Sequence, residues 1–334
     1  MTNLAPYTTF AVSAQCDHFT ILENVDQIPD IVRFLDSNPV PVFILGNGSN
    51  VLFVNDFRGV VILNRIKGLH VVSETEDEIC IEAGAGESWR DFVSYCVGCG
   101  WGGVENLADI PGTVGASAVQ NVGAYDMEAE NTIVSVTTYN LKTGEKRIFS
   151  KQECRFGYRS SIFKTADYKH FIITHVTYLL NKRPVLRTSY KAIQTVLAEK
   201  NIPSPTIHDI YNIVTEIRKA KLPDETVLHN AGSFFKNPVV SMEQARKMQQ
   251  NHPEMPLFPL PDDSVKLAAG WLIEQCGLKG YRDGDAGIYE KQALILVNYG
   301  SATGAEILRV AQLAMQSVQE KFGIALEPEV MIIP

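Results

Sequence analysis

Apolar and polar positions change period several times along the chain, and each change marks an element. Asp26–Leu35 reads as a short helix, and two apolar runs follow it, Val42–Leu45 and Val51–Val54. Both runs are β-branched or bulky and too short for a helix, so both read as short buried strands. Val60–Leu63, Leu69–Ser73 and Glu78–Ala83 read as further strands separated by turn residues. The period then lengthens. Trp89, Phe92, Val93 and Cys96 recur at i, i+3, i+4, i+7 behind the capping pattern Ser88-x-x-Asp91, until Gly100 stops the helix. Ile133–Asn140 and Phe171–Leu180 alternate as strands, with a turn at Thr143-Gly144. Two helical patterns come next; Thr206-x-x-Asp209 caps the second, Ile210, Ile213, Val214 and Ile217 form its buried stripe, and Lys221-Leu-Pro-Asp224 breaks it. In the last third Ser241 and Thr303 open helices, Ser264 is expected to cap a helix over Val265–Cys276, and Gly277 and Gly323 close two helices. Leu294–Val297 reads as a strand, and Glu327–Ile332 as an apolar strand with acids at its start.

Three stretches of small residues interrupt this pattern. Between the two apolar runs lies Gly46-Asn47-Gly48-Ser49-Asn50, in which every residue tolerates positive φ or carries a short polar side chain. Its backbone N–H groups can turn inward around an anion such as a pyrophosphate. A dinucleotide fingerprint would run from strand into helix, whereas here a second strand follows, and a plain β-hairpin loop explains the stretch equally well. Gly84-Ala85-Gly86 is a second small turn, and Gly102–Tyr125 is dense in Gly, Ala and Ser with almost no charge after Asp109. Little side-chain bulk lets backbone approach a flat ligand, or lets a helix pack tightly on a strand. Two such loops in one chain suit a large planar cofactor carrying a pyrophosphate.

Composition narrows the choice. With 334 residues, 45% hydrophobic and 20% charged, the chain has the make-up of a soluble globular protein of two or three domains. A net charge of −8 and the lack of a basic run argue against nucleic acid, and no stretch approaches a membrane span or a secretion signal, so the expected location is cytoplasmic. Six scattered cysteines are expected as reduced thiols; Cys96-Val-Gly-Cys99 has no second pair or histidine at zinc spacing, and no metal is expected.

The order GNGSN, GAG, IPGTVGASAVQNVGAY, RFGYRSSIFK, KLPD, AGSFFKNP, SVKLAAGWLIEQCGLKG and LEPEV resembles the UDP-N-acetylenolpyruvoylglucosamine reductases, the MurB flavoenzymes, over nearly the whole chain. The resemblance implies an α+β chain with an FAD-binding fold of the vanillyl-alcohol-oxidase (PCMH) type in two subdomains, 1–66 and 67–182. A Tyr-bearing loop and helical connector over 183–222 and a C-terminal α/β substrate domain over 223–334 complete it, the last strand returning to the first domain. The implied reaction reduces the enolpyruvyl group of UDP-N-acetylglucosamine enolpyruvate with NADPH through FAD. The rival readings are an FAD-linked oxidase of the same fold and a non-catalytic UDP-sugar-binding protein; no protein partner is evident.

By the same resemblance FAD is held by Gly46, Asn47, Gly48, Ser49 and Asn50 with Ile110, Pro111, Gly112, Thr113, Gly115, Ala116, Ser117, Gly123, Ala124 and Tyr125. Catalysis is carried by Arg159, Ser233 and Glu329, and the substrate is bound by Tyr190, Lys221, Asn237 and Lys279. A guanidinium can clamp a carboxylate bidentately, and a serine hydroxyl beside cations can release a proton. Glu329 either donates to the developing enol or, ionised, orients Arg159. Tyr190, in a polar segment between a strand and a helix, is expected to close over the UDP-sugar. Two positions depart from the family pattern: Ala116-Ser117 stands where many relatives have two glycines, and Gln292 where many carry histidine.

Overall fold

Backbone pairing separates the two apolar runs that flank the first glycine loop. In the computed structural model, which describes residues 1–334, Val42–Leu45 pairs in parallel with the strand Phe57–Asn64, and Val51–Phe53 pairs in parallel with the C-terminal strand Met331–Ile333. The stretch is therefore not a hairpin. Nor are both runs buried: Val51–Phe53 is buried throughout, but of Val42–Leu45 only Leu45 is, because it forms the edge of its sheet. An edge strand keeps one side open to solvent, which relaxes the demand for burial.

The chain divides into two units. The first comprises Met1–Thr2, Cys16–Asn47 and Arg58–Ala220. Its larger sheet is antiparallel, in the order Lys146–Ser150, Ile133–Asn140, Phe171–Asn181, Glu78–Gly84 and Leu69–Glu74. The helix Trp89–Gly98 buries Trp89, Phe92, Val93 and Cys96 as its spacing predicts, and the Ser88 hydroxyl accepts from the Asp91 N–H. In Ile207–Lys221 the stripe Ile210, Ile213, Val214 and Ile217 is buried in the same core. At its start the Thr206 hydroxyl accepts from the Asp209 N–H while the Asp209 carboxylate accepts from the Thr206 N–H, a reciprocal cap contributing on the order of 1 kcal/mol.

The second unit comprises Asn3–Gln15, Gly48–Phe57 and Lys221–Pro334. One sheet orders His229–Ser233, Ile295–Asn298, Ala286–Ile288 and Arg282–Asp283, and the long helix Gly304–Phe322, capped by Thr303 and Glu306, packs on it. A second sheet orders Val239–Ser241, Ser264–Leu267 and Leu257–Pro259. This corrects the expected cap at Ser264. Ser264–Leu267 is a central strand, the Ser264 hydroxyl donates to Asp262, and the helix begins at Ala269. Val265 and Leu267 bury the same face in alternation, a two-residue signal too short to distinguish from the start of the following apolar helix.

Candidate active site and cofactor cradle

The Gly46–Asn50 loop is built by two steric constraints. A Cβ at Gly48 would lie 2.2 Å from the Tyr7 carbonyl oxygen, and its φ of +64° favours glycine, so the loop must turn tightly over Tyr7–Thr8. Thr9 holds that turn by donating its N–H to the Gly48 carbonyl at 3.1 Å. A Cβ at Gly46 would lie 2.8 Å from the Thr113 hydroxyl oxygen, so the second small-residue loop runs directly against the first at this point. Within the chain, the N–H groups of Asn47, Gly48 and Ser49 find no acceptor, and the buried Thr8 hydroxyl beside Gly48 has no hydrogen-bond partner. A glycine turn whose backbone donors have no acceptor in the chain is what a pyrophosphate needs, and the residues fit FAD.

The second loop starts at Ile110 and enters the short helix Val114–Val119, whose first turn is capped by the Thr113 hydroxyl accepting from Ala116. Gly112, with φ of +130°, accepts from Trp89 through its carbonyl. Gly115 lies against Ala85, where a Cβ would come within 2.8 Å of the Ala85 Cβ. Ala116 is partly accessible, but Ser117 turns inward: its hydroxyl bonds the Val114 carbonyl at 2.7 Å and the buried Tyr178 hydroxyl at 2.8 Å. The departure from two glycines is thus absorbed by the core behind the helix. Gly84-Ala85-Gly86 is packing: a Cβ at Gly84 or Gly86 would meet the backbone of residues 65–67 at 2.5 Å.

Arg159 lies in the first unit on a turn closed by Gly157 and Ser160, at a left-handed φ of 53°. Non-glycine residues reach this region at a cost, and such strain concentrates at functional sites. Its Nη2 donates to the Gly123 carbonyl at 2.6 Å, and its guanidinium lies 5.3 Å from the Tyr158 ring centroid. Gly123 is glycine because a Cβ there would meet the Glu128 Cγ at 2.8 Å and the Arg159 Nη1 at 3.0 Å. Burial, then the neighbouring Glu130, raises the Glu128 pKa. The buried Asn121 amide donates to Glu128, to Glu130 and to the Gly157 carbonyl, tying the Arg159 turn to the second loop. Asn121 and Glu128 escape sequence reasoning, since nothing local marks either.

Tyr190 is half-exposed at the start of the helix Lys191–Glu199, its ring edge-on to Tyr125 at 5.0 Å between centroids. Burial raises the pKa of both phenols, so each stays a protonated donor at neutral pH. Lys221 is exposed at the end of its helix.

In the second unit a one-residue bulge presents Ser233. Asn230 is opposite Val297 and Ser233 opposite Ile295, so the strand gains a residue at Ala231-Gly232, where Gly232 has φ of +69° and donates to the Asn230 side chain. Ser233 is left exposed. The next residues zip onto the C-terminal segment: Glu329 donates its N–H to the Phe234 carbonyl at 2.8 Å, and Lys236 pairs with Glu327 at 2.6 Å. Asn50 joins them, its amide donating to the Glu329 carbonyl and its own carbonyl accepting from Met331. Ser233, Glu329 and Asn50 thus lie on three neighbouring backbone segments. The Asn237 side-chain oxygen instead accepts from the Ala269 N–H and supplies the cap that helix lacks, while Lys279 pairs with Glu274. Gln292 accepts from Leu294 through its side-chain oxygen.

Comparison with known proteins accounts for both units. Residues 17–149 match the family model described as FAD binding domain, and residues 223–333 the model for the C-terminal domain of UDP-N-acetylenolpyruvoylglucosamine reductase. The chain is 46% identical over 332 residues to the UDP-N-acetylenolpyruvoylglucosamine reductase of Chromobacterium violaceum, covering 99% of this chain and 97% of that one. It is 44% identical to the enzyme of the same name from Porphyromonas gingivalis, with the same coverage. A solved structure of the Thermus caldophilus reductase superposes with a TM-score of 0.68 at 25% identity, covering 100% of this chain and 98% of that one. With its FAD-binding part, its separate C-terminal domain and this likeness over its whole length, the chain belongs to the UDP-N-acetylenolpyruvoylglucosamine reductase (MurB) family.

Proposed function

We propose that the chain reduces the enolpyruvyl group of UDP-N-acetylglucosamine enolpyruvate to give UDP-N-acetylmuramate, with FAD and NADPH, in peptidoglycan precursor synthesis. Bound FAD supplies the hydride, which NADPH provides. The observation that carries the assignment of residues is the exposed Ser233 on its bulged strand, beside the backbone of Glu329. After hydride addition to the terminal carbon, charge spreads into the substrate carboxylate as an enolate, and donors fixed in advance stabilise it. Arg159 binds that carboxylate, and its strained turn and its bond to Gly123 hold the guanidinium in one orientation. Ser233 Oγ gives its proton to the carbon that bears the carboxylate and regains one from solvent. Glu329, anchored through its own N–H and carbonyl, contributes its carboxyl to the enolate's shell. Tyr190 donates to a phosphate of the UDP group, Lys221 and Lys279 offset phosphate charge, and Asn237 sets the position of the serine segment by capping Ala269–Gln275. NADPH and the nucleotide sugar are both multiply charged and do not cross a bilayer unaided, so the reaction is placed in the cytoplasm.

Ser233→Ala tests the assignment. Reduction of FAD by NADPH should stay near normal, while transfer to the UDP-sugar slows by roughly 10²-fold or more in anaerobic stopped flow. Equal slowing of both half-reactions, or of neither, would return Ser233 to a structural role.

A further inference from the structure

Asn106 is a polar side chain in the interior, 1% exposed, for which the proposed chemistry has no use. Its amide nitrogen donates at 3.0 Å to the Tyr125 carbonyl and at 3.0 Å to the Arg187 carbonyl, while its side-chain oxygen has no partner. A residue kept only to fill space would be apolar here, since an unpaired buried oxygen destabilises the fold. What the amide offers is its two donors. They join two segments that are 19 and 81 positions away in sequence: the end of the glycine-rich loop, which carries Tyr125, and the segment leading to Tyr190.

The same two segments touch again further out. Arg187 donates to the Asp126 carbonyl at 2.7 Å, Ser189 donates to the Asp126 carboxylate at 3.0 Å, and the Tyr190 ring sits against Tyr125. The outer contacts are exposed, whereas the Asn106 bonds come from a buried side chain, where a hydrogen bond is less screened by water. We propose that Asn106 is a positioning residue for the nucleotide-sugar substrate: it fixes the Tyr190 arm against the Tyr125 loop before substrate arrives, so the phenol hydroxyls are ordered in advance. The proposal rests on the reading of Tyr190 as a UDP-sugar contact.

A mutant cycle on the FAD-loaded enzyme tests it. Asn106→Ala should raise KM for the UDP-sugar about tenfold, with kcat within threefold and FAD content and FAD reduction by NADPH unchanged. Should Asn106→Ala fail to fold, the exposed Ser189→Ala loosens the same arm and should raise the same KM two- to threefold. In a Tyr190→Ala background, adding Asn106→Ala, or Ser189→Ala in its place, should change KM no further, because the arm no longer carries its contact. An equal rise in KM with and without Tyr190 would overturn the coupling, as would a fall in kcat with KM unchanged. If Tyr190→Ala alone leaves KM untouched, the substrate role of Tyr190 fails and this proposal fails with it.

Discussion

Two short turns of small residues have opposite hydrogen-bond accounts. In Gly84-Ala85-Gly86 every N–H is used, each donating at 2.8 Å to the carbonyl of Gly68, Thr174 or Ile66 respectively. In Asn47-Gly48-Ser49 none has an acceptor in the chain. The glycines of the first turn let backbone lie on backbone; the second turn keeps its donors free for a partner outside the chain. Small residues alone say only that backbone is approached closely. Which partner approaches is decided by whether the amides are already satisfied.

The largest effect should come from Gly86→Val. Its Cβ would fall 2.5 Å from Arg65 backbone atoms, which cannot yield as a flexible side chain would. Urea unfolding of the apoprotein should show a loss of roughly 3 kcal/mol or more. Intact apo stability with weakened FAD binding would move this turn into the ligand class. Ser117→Ala comes next, at about 1–3 kcal/mol, because it leaves the buried Tyr178 hydroxyl without its partner. FAD affinity should be unchanged; a selective loss of flavin would mean that the hydroxyl serves the cofactor. Gly46→Ala should do the reverse. Pushing against Thr113, it should weaken FAD about tenfold, or about 1.4 kcal/mol, in titrations of apoprotein, with apo stability altered by less than about 1 kcal/mol. The smallest change is expected from Asn47→Ala, whose side chain is exposed and whose proposed service is its N–H. FAD affinity should hold within about threefold and stability within about 0.5 kcal/mol; a tenfold loss of flavin would make the side chain itself a ligand.

What could be read from sequence was local. The caps at Ser88, Thr206, Ser241 and Thr303 all form, because a cap is settled within four residues. The buried stripes of Trp89–Gly98 and Ile207–Lys221 are likewise as spaced. Partners were not legible: Val42–Leu45 and Val51–Phe53 look alike, and only long-range pairing sends them to different sheets. The same holds within the site. The glycine loops and Ser233 stand out as motifs, whereas Asn106 and Asn121 carry no local mark and act through carbonyls and carboxylates brought up by the fold.

The C-terminal strand sets an order of events during synthesis. Val51–Phe53 finds its neighbour only when Met331–Ile333 has left the ribosome, and the Asn50 amide reaches Glu329 across 279 positions. Residues 58–220 have their own sheet and core by then, so the first unit can condense while translation continues. The serine-bearing unit cannot complete this pairing until residues 331–333 have been made. A message truncated before codon 331 would therefore yield a chain able to shape its FAD-binding part but missing the strand beside Glu329.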